Sequence, residues 1–164
     1  MELKINQQEF NIFLDVSKKI NVKFGIIPIL YGSLGLNKDI GEFCAVNDVD
    51  VLVPSELINN RWEKLVRLMK ELDFTIINER EHEFQRNKIK VAFAQEEDLS
   101  KFSQINLDNL KISTINQIKF RELSPEQYLK VYQRMLRDNY RQDKRGNADK
   151  EKIALIKKYL KIED

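Results

Sequence analysis

Leu30-Tyr31-Gly32-Ser33-Leu34-Gly35 and, further on, Asp48-Val49-Asp50-Val51-Leu52-Val53 are the two stretches on which the reading of this chain turns. The first closes a short, nearly continuous apolar run, residues 26–31, that stops at Gly32 as a buried strand would. Pro28 within that run removes one ladder donor and predicts a strand edge or a bulge. The second reads as a strand ended by Pro54. Side chains alternate along a strand, so Asp48 and Asp50 share one face, roughly 7 Å apart at Cα, while Val49, Val51 and Val53 turn to the core. Two carboxylates at that spacing suit a hard divalent cation, above all Mg²⁺, which takes carboxylates together with substrate phosphates. Gly32 allows close backbone approach and Ser33 adds a hydroxyl, the donors a phosphate needs; a helix starting near Leu34 would add its N-terminus. Each half has a plain alternative, a solvated strand end for Asp-x-Asp and an ordinary turn for Gly-Ser. Their joint placement after two apolar strands is what points to one site.

Outward from there, residues 7–20 read as an amphipathic helix with Phe10, Phe13, Leu14 and Ile20 on one face. Residues 32–47 carry three glycines and no clear period, and read mainly as a loop with one short helical turn. Ser55 is placed to cap one long helix reaching about residue 73, marked by Ile58, Trp62, Leu65, Met69 and Leu72. A strand is expected over 74–79, and a hairpin over 81–86 and 88–94 turning near Asn87. A short helix over 96–104 and strands over 110–115 and 118–123 follow. Ser124-Pro125-Glu126-Gln127 is a helix start, with a cap, proline in the first turn and glutamine three residues on. That helix is expected to run to about residue 140, and a last one from about 148 to 161.

At 164 residues the chain fits one domain that buries roughly 70% of its unfolded surface. Hydrophobic residues at 42% and charged residues at 33% argue against both disorder and a membrane protein, and no apolar run nears the ~18 residues of a spanning helix. The first residues lack the apolar stretch of a signal peptide, and the lone Cys44 has no internal disulfide partner; both point to the cytoplasm. Lysine outnumbers arginine about two to one, with plentiful Ile and Asn, as in an AT-rich bacterial genome. From Arg134 to Lys161 there are 10 basic and 4 acidic residues, either a polyanion-attracting surface or a solvated helix face. His82 is the only histidine, which disfavours histidine-based metal sites and a Ser-His-Asp triad and leaves it a surface or strand-edge role. Trp62, Tyr128, Tyr132 and Tyr140 read as packing residues.

The Gly32-Ser33 and Asp48-x-Asp50 arrangement resembles the nucleotidyltransferase superfamily, the DNA polymerase beta-like group, in its small minimal-type members. The resemblance is carried by residues 26–54. It implies an α/β (α+β) fold, a nucleotidyltransferase-like mixed β-sheet flanked by helices, with C-terminal helices. That is one domain over 1–164, with a core of about 1–123 and a helical part of about 124–164. It further implies that Asp48 and Asp50 bind Mg²⁺ and that Gly32 and Ser33 hold the phosphates of a nucleoside triphosphate such as ATP. The 14 residues between Ser33 and Asp48 make a long interval for the family. Several small members carry an Arg/Lys-x-x-Lys…Asp stretch at the last helix, and Arg141, Lys144 and Asp149 stand in similar order. Arg141 and Lys144 would then neutralise phosphate charge; the alternative is a charged loop between helices.

Family enzymes place a third carboxylate on a later strand, to activate the attacking hydroxyl. Here that strand reads Lys-Ile-Lys-Val-Ala-Phe-Ala, with Lys90, Ala92 and Ala94 on the relevant face. If Asn87-Lys88 form a two-residue turn, Glu83 lies opposite Ala92 and presents a carboxylate on that face. Three functions stay open. The first is Mg²⁺-dependent transfer of a nucleoside monophosphate from a nucleoside triphosphate to an unidentified hydroxyl acceptor: small molecule, protein or RNA. The second is a catalytically weak or inactive nucleotide-binding or antitoxin-type partner protein of the same fold. The third, more distant, is a nucleic-acid-binding protein acting through the basic C-terminal third.

Overall fold

Alternating side chains on one sheet feed two separate cores, and that division explains most of the chain's apolar pattern. The computed structural model describes residues 6–41, 46, 48–138 and 144–162, with the side chains of 138 and 144–147 outside the description. The elements are α1 (Gln7–Phe24), β1 (Ile29–Tyr31), α2 (Gly32–Ile40), β2 (Asp48–Val53), α3 (Ser55–Asn59), α4 (Trp62–Glu71) and β3 (Thr75–Asn78). They continue with β4 (Glu83–Arg86), β5 (Ile89–Gln95), α5 (Glu97–Ser103), a 3-10 turn, β6 (Lys111–Ile115), β7 (Ile118–Glu122), α6 (Pro125–Asp138) and α7 (Lys144–Leu160). The mixed sheet has the order β3-β4-β5-β2-β1-β7-β6. Its centre combines an antiparallel β1–β2 pair with parallel β2–β5 and β1–β7 pairs.

Val49, Val51 and Val53 of β2, with Val91 and Phe93 of β5, pack under α1 and α4. Phe13 of α1 meets Phe120 of β7 edge-on, with ring centroids 5.3 Å apart. The opposite face carries Ile29 and Leu52 into a second core with Leu99 of α5, Tyr128 and Tyr132 of α6 and Ile156 of α7. Asp48 and Asp50 are on this second face too, half-buried at the end the helices leave uncovered.

The expected elements largely form, with three corrections. The first strand is shorter, because Pro28 stays outside it and contributes only its carbonyl, which accepts the Arg121 N–H at 2.8 Å. The stretch read as a loop contains the nine-residue helix α2. It shows no apolar period because it is wedged between both cores: Leu34 belongs to one and Leu36 to the other. The long helix expected from a cap at Ser55 is two helices, and Ser55 is the first residue of α3, with Pro54 at the N-cap position and no side-chain cap bond. Arg61 leaves the helical region (φ −123°, ψ 27°), its guanidinium 3.0 Å from Glu56 and over the Phe24 ring. The apolar spacing continues across this break, so periodicity alone is blind to it.

Local chemistry settles the turns. Asn87 and Lys88 both have positive φ (51° and 70°), as do Asn116 and Gln117 (49° and 70°), the signature of two-residue hairpin turns whose twist matches the strands. Ser124 and Gln127 form the reciprocal cap: the Gln127 N–H donates to Ser124 Oγ (3.1 Å) and the Ser124 N–H to Gln127 Oε1 (2.7 Å). Among the described residues no helix is long and apolar enough to cross a membrane.

A small polar cluster joins α2 to the β6–β7 hairpin. Glu122 is buried, paired with Lys38 at 2.9 Å and accepting a hydrogen bond from Ser113. Burial and then the Glu122 charge push Asp39 up to about 7, with Glu126 adding to the effect and Lys38 and Lys111 opposing it. Because the folded-state value lies above the unfolded one, this group favours the fold at acid pH, and that contribution is lost as pH rises through about 7. Urea melts at pH 5 and pH 8 should therefore show lower stability at pH 8, and Asp39→Asn should flatten the difference.

Candidate functional site

The strand β2 and the turn from β1 into α2 meet at the mouth of a cavity of about 700 Å³. Gly32, Ser33, Asp48, Asp50 and Glu83 all line it, so five of the seven residues singled out from the sequence come together. Arg141 lies outside the described residues, and Lys144 opens α7 with a side chain that also lies outside them.

Gly32 is held at φ 72°, where a side chain is strained, and a Cβ there would fall 2.2 Å from Asp50 Oδ2. The Asp50 carboxylate thus rests directly on the glycine that begins α2. Tyr31 is opposite Asp50 across the β1–β2 pair, Ala92 is beside Asp50 on β5, and Glu83 is opposite Ala92 on β4. Tyr31, Asp50, Ala92 and Glu83 therefore form one transverse row. Two strand spacings put Glu83 roughly 10 Å from Asp50 at Cα, with only a methyl group between. On β5 itself Lys90 is beside Asp48, so no acid adjoins the pair on that strand.

Several residues of the cavity were not assigned to a site from sequence. Tyr31 is half-buried at its floor, and desolvation followed by the charges of Asp50, Asp149 and Asp98 raises its phenol, keeping it protonated. Asp149, named from sequence with Arg141 and Lys144 in the C-terminal stretch, is buried on α7 and faces the cavity, as does Lys152 one turn on; their i, i+3 spacing was the readable sign of a shared helix face. His82 lines the cavity as well, at φ 59°, with its ring 4.9 Å from Trp62 in an edge-on contact. It sits partly buried in the turn between β3 and β4, at the end of β4, a strand-edge position in keeping with the role expected of it.

Among the described residues no group of three or more His, Cys, Asp or Glu is arranged to hold a metal ion. Asp48 and Asp50 share one strand face and the cavity, a donor set that suits Mg²⁺ when substrate phosphates complete its shell.

The sheet order, the helix rising from the Gly-Ser turn and the acidic second strand together make up the nucleotidyltransferase fold. Solved structures agree. The chain matches the crystal structure of an antigenic nucleotidyltransferase-like protein from Paracoccidioides brasiliensis with a TM-score of 0.62 at 16% identity, over 89% of this chain and 73% of that one. It also matches ANT(2")-Ia, crystallised in complex with adenylyl-2"-tobramycin, with a TM-score of 0.57 at 11% identity, over 93% and 90% of the two chains. The solution structure of that antibiotic-resistance factor gives 0.56 at 12% identity, over 92% of this chain and 85% of that one. No protein-family model matches the chain. At 34% identity over 152 residues, 93% of this chain and 97% of the relative, it belongs to the family of the Bacillus subtilis (strain 168) protein named "Uncharacterized protein YnaI".

Proposed function

We propose that the protein transfers a nucleoside monophosphate from a nucleoside triphosphate to a hydroxyl acceptor, with Mg²⁺ held by Asp48 and Asp50. The observation that carries this reading is the direct seating of the Asp50 carboxylate on Gly32 in a cavity that also takes in Ser33 and Asp48. The Gly32 and Ser33 N–H groups and the Ser33 hydroxyl bind the triphosphate tail at the N-terminus of α2, with Arg141 and Lys144 as further phosphate ligands. Asp48 and Asp50 hold the ion, whose charge would offset that building on the phosphate oxygens. Glu83, across Ala92, takes the proton of the acceptor hydroxyl as its oxygen bonds to the α-phosphorus and pyrophosphate leaves. The protonated Tyr31 phenol donates into the same space. ANT(2")-Ia, whose structure contains an adenylylated aminoglycoside, offers a parallel for adenylyl transfer on this fold.

Transfer of label from α-labelled triphosphates to pooled acceptor fractions tests the reading. The expected result is incorporation that needs both Mg²⁺ and Asp50, and that falls by roughly 100-fold or more in Glu83→Gln while nucleotide affinity holds. Incorporation indifferent to Asp50 overturns it.

A second reading follows from Ala92, which stands beside Asp50 where an acid would complete the set. On this reading the chain binds Mg-nucleotide without turnover and acts as a sensor or an antitoxin-type partner. Retained triphosphate binding with no incorporation into any acceptor pool selects it.

A further inference from the structure

A second cavity, about 600 Å³, opens off the first and shares Tyr31, Leu52, Ala94, Gln95, Asp98 and Met135 with it. Its character is different. Where the first is crowded with carboxylates, this lobe is walled by Leu52, Leu99, Phe102 and Met135, with Phe102 left 46% exposed at the rim. It begins at Leu52, two residues and roughly 7 Å along β2 from Asp50, about the reach of a ribose from the α-phosphate. Two ionic side chains interrupt the apolar wall: Asp98 from the first turn of α5 and Arg134 from α6.

We infer that this lobe is a nucleobase site that reads guanine through Asp98 and Arg134; the inference rests on the nucleotidyltransferase reading above. A flat aromatic base suits the apolar walls, and the polar pair decides which base. Guanine presents N1–H and the 2-amino group side by side as donors, which a carboxylate accepts together. Its O6 and N7 are paired acceptors that a guanidinium donates to. Adenine offers an acceptor at N1, which faces a carboxylate unfavourably, and a donor at N6, which faces a guanidinium unfavourably. The wrong base forfeits these hydrogen bonds and sets an acceptor against the carboxylate and a donor against the guanidinium. The phosphate end remains at Gly32 and Ser33, and the strip of Arg80, Glu81 and Glu83 on the far side of the first cavity is left for the acceptor.

Calorimetry on the full chain with Mg-GTP, Mg-ITP and Mg-ATP tests this at the level of single atoms. GTP is expected to bind at least about 10-fold more tightly than ATP, and also more tightly than inosine triphosphate, which lacks only the 2-amino group. Asp98→Asn should erase the GTP–ITP difference and leave ATP affinity within about 2-fold. Met135→Trp, which fills the lobe, should weaken GTP while leaving inorganic tripolyphosphate binding intact. ATP binding as tightly as GTP, or a GTP–ITP gap that survives Asp98→Asn, overturns the guanine assignment with the triphosphate site standing. Failure of the unmodified chain to bind any triphosphate or tripolyphosphate brings down the function itself.

Discussion

Asp50→Ala is expected to cost at least about 100-fold in Mg-nucleotide affinity, and Asp48→Ala a comparable amount, with the fold unharmed. Both effects follow from one arrangement. The two side chains face the same cavity from alternate positions of β2, so each removes half of the protein's anionic donors for the ion. The Asp50 loss reaches further, because its carboxylate also contacts the start of α2 at Gly32. The fold should tolerate either change. Both residues are half-buried like charges on one strand face, and removing one relieves repulsion without opening a cavity in the cores. Calorimetry paired with urea melts separates the two outcomes. Unchanged affinity in both variants would dispose of the metal-and-phosphate assignment, and a collapse in stability would recast the pair as structural.

The second large effect concerns Gly35→Ala, one turn into α2. A methyl group there would lie 2.0 Å from the Tyr128 hydroxyl oxygen and 3.2 Å from its Cζ. Tyr128 has no room to yield. It is fully buried in the second core, stacked between Tyr31 and Tyr132 with centroids 6.2 Å away on each side. Overpacking at such a position costs about 1–3 kcal/mol, through displacement of α6 from α2. Tyr128→Phe should restore most of that loss in the double variant, since it deletes the one atom in severe conflict and leaves the ring in place. The coupling in the denaturation cycle should therefore be large and favourable. Additive losses would mean that α6 does not rest on Gly35 as described.

The site was legible from sequence to the extent that its residues sit on regular local structure. Asp48 and Asp50 were readable because strand alternation needs no partner to define a face. Glu83 was readable because a two-residue turn at Asn87-Lys88 sets the register of the hairpin, and the structure pairs Glu83 with Ala92 as that register requires. Other parts depended on long-range packing. The helix α2 was hidden because its buried residues answer to two cores instead of one. Tyr31, Asp98 and Lys152 come from three distant segments, and nothing in their local sequence marks them as neighbours.

The sequence by itself determined the alternating faces of β2 and β5, the register of the hairpin at Asn87-Lys88 and the cap at Ser124, since all of these follow from covalent geometry and interactions a few residues long. The tertiary structure alone decided that α5, α6 and α7 would leave one end of the sheet uncovered, and so which side chains line the two joined cavities. The physical reason is that enclosure depends on how whole elements pack across the sheet, and that packing is set by the summed burial of both cores.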